Sequence, residues 1–178
     1  IETSSWITAA YINGFTDEEV IALALATVES GEQLNLGKKP ILDKHCIGGV
    51  AGNRTTMVVV PIIAAAGLYM PKTSSRSITS ASGTADTMEV LCDVTFNIEE
   101  LRSIVLKSKG AIVWGGGMKL APVDDMLIRI RHPLSLDPEG MLLASILGKK
   151  KSVGAEFVLI DIPVGRGVKV PYIERGND

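Results

Sequence analysis

Cysteine is scarce in this chain. Its 178 residues hold two, Cys46 and Cys92, too few for a disulfide framework, so a reducing cytoplasm is the expected compartment. The two histidines, His45 and His132, do not combine with those cysteines at paired-ligand spacing, and no metal is expected. Charge of one sign is missing too: 18 Lys and Arg against 20 Asp and Glu leave a formal net charge of −2. No nucleic acid and no membrane surface is therefore expected as a partner, since both call for clustered positive charge. Long apolar runs are absent. The longest, residues 57–70, is interrupted by Pro61 and Gly67 and falls short of the roughly 18 residues that a membrane helix needs. Nothing resembles a signal peptide, an internal repeat or a low-complexity tract. The chain opens at Ile1 rather than at a methionine, in what already reads as helix, and is expected to be an internal piece of something longer.

What is present is enough apolar material for a core. Hydrophobic residues make up 46% of the chain, which excludes intrinsic disorder and fits one large domain or two small lobes. Residues 1–11 read weakly as helix. Thr16 and Glu19 form a capping box, followed by an apolar stripe at Val20, Ile21, Ala24, Leu25 and Val28, with Gly31 as a stop. From Ile41 short apolar runs (41–42, 68–70, 111–114, 157–162) alternate with helical stretches at 55–66, 84–91 and 98–109. Asn97 and Glu100 cap the last of these and Gly110 ends it. Residues 123–131 and 138–151 return to helix, with a break at His132-Pro133. The expected class is α/β: a mostly parallel sheet lobe with crossover helices, from 41–120 and 153–178, plus a separate all-helical lobe, from 1–40 and 121–152. A crevice between lobes suits a ligand.

The most informative stretch runs Asp43-Lys44-His45-Cys46-Ile47-Gly48-Gly49-Val50-Ala51-Gly52-Asn53-Arg54-Thr55-Thr56. A strand empties into glycines, and a helix begins after them. Glycines allow close backbone approach to an anion, free amides at a helix start point toward it, and Lys44 adds a full charge. The order is not that of a Walker loop, and a tight structural turn is the alternative. A second cluster, residues 72–84, contains eight Ser or Thr among thirteen, together with Lys72 and Arg76. Hydroxyls donate to phosphate or sugar oxygens, and Arg76 offers a bidentate clamp; a solvated loop is the alternative. Asp137 precedes Pro138 and reads as an N-cap. Ser145 and Lys149 share a helix face, as a ligand site or as surface. His45 beside Cys46 points to the opposite face of a strand, which weakens a thiol–imidazole pair. Gly115-Gly116-Gly117 and Val164-Gly165-Arg166-Gly167-Val168-Lys169 follow strands as well.

Together these residues resemble a known family. Asp43-Lys44-His45-Cys46-Ile47-Gly48-Gly49-Val50 is similar to the phosphate loop DKHS-x-GGV of the thymidine and pyrimidine-nucleoside phosphorylases. The resemblance continues in order through residues 74–84, Leu120-Ala121-Pro122, Ala144-Ser145-Ile146-Leu147 and residues 161–167. Gly52-Asn53-Arg54-Thr55-Thr56 and Ser74-Ser75-Arg76-Ser77-Ile78-Thr79-Ser80 look like the archaeal AMP phosphorylase branch, whereas the pyrimidine enzymes carry a Gly- and His-containing loop there. The fold this implies is nucleoside phosphorylase- and phosphoribosyltransferase-like.

The activity it implies is a pentosyl transfer in nucleotide metabolism: AMP and inorganic phosphate give adenine and ribose 1,5-bisphosphate, with no cofactor. Lys44, Ser74 and Thr84 match positions that hold the attacking phosphate in the pyrimidine relatives. Gly49, Ser75, Arg76, Ser77, Ile78, Thr79, Ser80 and Thr84 match the nucleotide-binding segment of the AMP branch. Asp137 matches its proton donor, in conflict with the N-cap reading. Ser145 and Lys169 match further nucleotide contacts, and Lys149 matches a base-binding lysine of the pyrimidine enzymes. Cys46 departs from the phosphate-binding serine of those enzymes, and a thiol is the poorer donor. Relatives pair through the helical lobe, so a homodimer or higher homo-oligomer is expected. Pyrimidine-nucleoside phosphorolysis, phosphoribosyl transfer and a non-catalytic anion-binding fragment are the alternatives.

Overall fold

The computed structural model describes residues 1–47, 54–76, 83–168 and 170–174. Gly49, Ser77, Ile78, Thr79, Ser80 and Lys169 lie outside the described residues. Helices α1 (Glu2–Asn13) and α2 (Asp17–Glu29) come first, then β1 (Leu42–Cys46), α3 (Thr55–Ala65), β2 (Met70–Ser74), α4 (Thr84–Glu89), α5 (Ile98–Ser108) and β3 (Gly110–Trp114). A 3₁₀ turn (Gly115–Met118) leads to α6 (Pro122–Leu134), α7 (Glu139–Ser152) and β4 (Phe157–Asp161).

Local chemistry accounts for most of these boundaries. The Glu19 amide donates to Thr16 Oγ1 at 3.3 Å and the Thr16 amide to Glu19 Oε2 at 2.8 Å, closing the first capping box. Asn97 and Glu100 repeat it at 2.8 and 2.9 Å. Three boundaries differ from expectation. The expected strand at 68–70 is displaced: β2 runs on through Lys72, Thr73 and Ser74, which the sequence placed in a polar loop. Their hydroxyls and amine disguise a strand that pairing with β3 and burial hold in place. The expected break at His132-Pro133 is absent, because Pro133 falls in the last turn of α6 and the helix ends one residue later. The N-cap of α7 is Pro138 rather than Asp137, which leaves the Asp137 carboxylate for another partner.

The strands form two parallel pairs. β1 pairs with β4 from Leu42↔Phe157 to Cys46↔Asp161, and β2 with β3 from Met70↔Gly110 to Ser74↔Trp114. A parallel bridge, Ile41↔Tyr69, and a 2.8 Å bond from the Leu42 amide to the Tyr69 carbonyl join them. The order is therefore β4-β1-β2-β3. The chain steps from β1 to β2 to β3, then returns through α6 and α7 to add β4 on the far side of β1. A reversal of this kind opens a crevice at the carboxyl ends of the strands. Here those ends are Asp161, Cys46, Ser74 and Trp114.

Leu36, Ile41, Leu101, Val105 and Val113 form the core beside the sheet. Ile7, Ala10, Leu127 and Met141 form a second cluster where α1, α6 and α7 meet, and Val20, Ala24 and Ala144 join α2 to α7. Small residues let α2 and α7 approach closely: a methyl placed on Gly148 would stand 3.3 Å from Thr27 Cγ2. That approach fixes α7, and with it the lysines near its end, against the rest of the molecule. Among the described residues no helix is long and apolar enough to cross a membrane.

Candidate functional site

At the carboxyl end of the sheet the strands present polar side chains that are almost wholly buried. Lys44 is 1% exposed and donates to Asp161 Oδ2 at 2.7 Å, bridging β1 to β4. Asp43 Oδ1 accepts from the Lys44 amide at 2.7 Å, and Asp43 Oδ2 accepts from Lys150 Nζ at 2.7 Å. Lys150 comes from α7, so this buried ion pair ties the helices to β1 at the residue beside Lys44. Removing charges from water costs free energy unless they are paired and hydrogen-bonded, and each member of this chain has a partner.

The next lysine along α7 turns elsewhere. Lys149 Nζ donates to Asp124 Oδ2 on α6 and to Ser145 Oγ one helical turn earlier. Lys149 and Asp124 line a small cavity with Thr73, Ser74 and Ser75 from β2 and its following loop, and with Gly115 after β3. The cavity thus lies between the strand ends and the α6–α7 pair. Its wall combines the apolar Leu120, Ala121 and Ile128 with hydroxyls, an ammonium and a carboxylate, a mostly apolar setting with a few polar groups.

Among the described residues four buried side-chain atoms lack a partner, two of them on β1 and β2. His45 Nδ1 and Thr73 Oγ1 are shut away from solvent without a hydrogen bond. Burial lowers the His45 pKa well below the ordinary imidazole value, and the positive charges of Lys72, Lys150, Lys149 and Lys44 lower it further. Lys72 is lowered well below the ordinary lysine value by burial and by Lys150. Lys150 is lowered by burial, against the opposing pull of Asp43.

The expected residues fall into three groups. Ser74, Ser75 and Lys149 line the cavity and Ser145 bonds to Lys149, while Lys44 is buried on β1 against Asp161, outside the cavity lining. Thr84 begins α4 just after its N-cap, Gly83, outside the cavity lining. Arg76 is turned toward α4, bonded to Asp86 at 2.9 Å and to both oxygens of Glu89, with its guanidinium 4.7 Å over the Trp114 ring. Asp137 stands in the turn between α6 and α7, where its Oδ1 accepts from Arg131 Nη1 at 3.2 Å. It too lies outside the cavity lining. Sequence reasoning set Asp43 and Lys72 inside its candidate stretches without giving either a role of its own, and missed Asp124, Lys150 and Asp161 as site-building residues. The run Lys149-Lys150-Lys151 closing α7 was the available signal, since a helix turns successive residues about 100° apart and so sends adjacent lysines to different neighbours.

Comparison with known proteins agrees with this architecture. The glycosyl transferase family, a/b domain, matches residues 38–134. An AMP phosphorylase of Thermococcus kodakarensis is 54% identical over 177 residues, covering 99% of this chain and 35% of that protein. Counterparts with the same name from Methanosarcina barkeri and Natronomonas pharaonis are 54% and 51% identical over 99% and 100% of the chain. The chain thus spans about a third of the length of these relatives. Among solved structures, anthranilate phosphoribosyltransferase from Thermus thermophilus superposes with a TM-score of 0.76 at 20% identity, over 89% of this chain and 48% of its own. That likeness concerns the fold. With more than half of its residues matched, β1 through α6 included, the chain belongs to the glycosyl transferase family characterised by this a/b domain.

Proposed function

We propose that the protein carrying this chain performs phosphorolysis of a nucleoside 5′-monophosphate, taking AMP and phosphate to adenine and ribose 1,5-bisphosphate. The observation that carries the reading is the buried Lys44 on β1, paired with Asp161, in a chain more than half identical along its whole length to proteins named AMP phosphorylase. In this reaction the bond from C1′ to the base nitrogen breaks, a bond from C1′ to a phosphate oxygen forms, and the base leaves with a proton. Positive charge develops at C1′ between two anions, so orientation and electrostatics supply most of the acceleration.

Lys44, Ser74 and Thr84 hold the attacking phosphate in this reading, with Gly49 on the glycine segment. Ser75, Arg76 and residues 77–80 take the nucleotide, Arg76 and Lys169 being the candidates for its 5′-phosphate. Arg76 must then exchange Glu89 and Asp86 for the ligand. Ser145 and Lys149 meet the nucleoside from α7. Asp137 delivers the proton to the base, which requires it to leave Arg131 and reach the cavity. The only co-substrate is inorganic phosphate, with no cofactor. A homo-oligomer paired through the helices, working in the cytoplasm, completes the reading. The test is base release by the full-length protein across AMP, CMP, UMP, thymidine and uridine, with and without phosphate. The expected result is phosphate-dependent release from monophosphates that is untouched by chelator. Release from thymidine or uridine alone contradicts the AMP assignment, and loss of activity with chelator favours phosphoribosyl transfer.

A further inference from the structure

The small cavity between the strand ends and α6 has a polarity of its own. A lysine has three N–H donors and no acceptor. Lys149 places its donors on Asp124 Oδ2, on Ser145 Oγ and, at 3.5 Å, on the Ser145 carbonyl. The amine on this wall therefore has no donor left for a ligand. Asp124 stands the other way round. It lines the cavity and is 4% exposed. Lys149 holds its Oδ2, and among the described residues its Oδ1 has no hydrogen bond.

A second group on the same wall lacks a partner. Thr73, 1% exposed, lines the cavity from β2, and its hydroxyl is shut away from solvent without a hydrogen bond; a buried hydroxyl calls for one. Asp125 lines the cavity as well. Its Oδ1 lies 2.7 Å from where a methyl on Gly116 would stand, and its Oδ2 accepts from Arg129 at 2.9 Å. Two carboxylates repel an anion, and each already has its cation, so a neutral hydrogen-bond donor fits this wall. The enclosed space, about 20 Å³, admits a group the size of a water molecule and not a ring. Of the neutral donors on a nucleoside monophosphate, an amino group on the base brings two N–H donors. A ribose hydroxyl brings one donor, and its lone pairs face the carboxylates.

We propose that Asp124 is a specificity-determining residue: its free oxygen accepts from the exocyclic amino group of the base, with Thr73 Oγ1 as the second contact, so that amino-bearing bases bind in preference to their oxo counterparts. The inference rests on the nucleotide reading given above and names the class of base within it. An oxo group in the same place sets its lone pairs against the carboxylate and leaves Asp124 Oδ1 unpaired, a loss that burial makes costly. Lys149, with its donors already engaged, does not offset it. Leu120, Ala121 and Ile128 supply the apolar wall that suits the ring carrying the amino group.

Binding in the absence of phosphate separates recognition from bond breaking. Calorimetric titration of the full-length protein compares AMP with inosine 5′-monophosphate, purine riboside 5′-monophosphate and 2′-deoxy-AMP. AMP is expected to bind about tenfold or more tightly than the two ligands that lack the amine, and 2′-deoxy-AMP within about twofold of AMP. Asp124→Asn keeps the shape of the side chain and offers a donor; the gap between AMP and inosine 5′-monophosphate should shrink to about twofold or reverse. The wild-type comparison needs no variant and decides the matter if Asp124→Asn does not fold. Equal affinities for AMP and the two ligands without the amine overturn the proposal, as does an undiminished gap in Asp124→Asn. Weakened binding of 2′-deoxy-AMP alone gives the wall to a ribose hydroxyl and overturns it too. Those outcomes leave phosphorolysis standing, because phosphate-dependent adenine release reports on it separately; absence of that release overturns the reading beneath the proposal.

Discussion

Lys149 and Lys150 are neighbours in sequence and belong to different halves of the site. Lys150 reaches the sheet and pairs with Asp43, beside Lys44, while Lys149 stays among the helices with Asp124 and Ser145. The floor of the site, formed by β1 and β4, carries buried charges that link β1 to β4 and to α7. Its wall, formed by α6, α7 and the turn between them, is paired within itself, Arg131 with Asp137 among the pairs. In the proposed reading the floor holds the attacking phosphate. In the same reading the wall carries Asp137, which must give up Arg131 to act. The proposal thus puts binding in one half and turnover in the other, a division that can be broken by experiment.

The largest expected effect lies on the wall. Asp137→Asn in the full-length protein should lower kcat by about a hundredfold or more and leave the phosphate KM close to the wild-type value. A change confined to thermal stability would make Asp137 a structural turn residue. Lys44→Met on the floor should do the reverse, raising the phosphate KM by about ten- to a hundredfold with a smaller change in kcat. Equal losses in both parameters from both variants would dissolve the distinction.

A smaller effect concerns the floor alone. The folded His45 imidazole titrates well below its ordinary value because burial and the surrounding lysines oppose its protonation. Below about pH 6.5 the unfolded chain binds a proton that the folded chain refuses, so stability falls as pH is lowered through that value. Differential scanning calorimetry should show a melting temperature that drops over this window, with a shallower drop in His45→Gln. Equal slopes would mean that His45 is not shielded as the geometry requires. The smallest effect is expected at Cys46. If main-chain donors carry the phosphate contact there, or if the thiol carries it poorly, Cys46→Ser leaves the phosphate KM unchanged or lowers it; a large rise contradicts both.

The outline of the fold was legible where local chemistry speaks alone. The capping boxes at Thr16 and Asn97 place α2 and α5 because cap and carboxylate satisfy each other's backbone within four residues. Ser145 and Lys149 could be paired from helical spacing, and they do hydrogen-bond. β2 was hidden because Lys72, Thr73 and Ser74 have the composition of a loop, and only the neighbouring strands and the packed helices α3 and α5 make them a buried strand. Asp43, Asp124 and Asp161 escaped for a related reason: their partners lie 25 to 117 residues away, and nothing local announces a long-range ion pair. Asp137 was misplaced by one position at a helix start, where a proline at either of two sites reads alike.

Product analysis of the full-length protein supplied with AMP and phosphate addresses the central claim most directly. Adenine and ribose 1,5-bisphosphate should appear in equal amounts, and adenine release should cease when phosphate is withheld. Ribose 5-phosphate as the sugar product, or adenine release indifferent to phosphate, would contradict the account, because the attacking group would then be water rather than an oxyanion held beside Lys44.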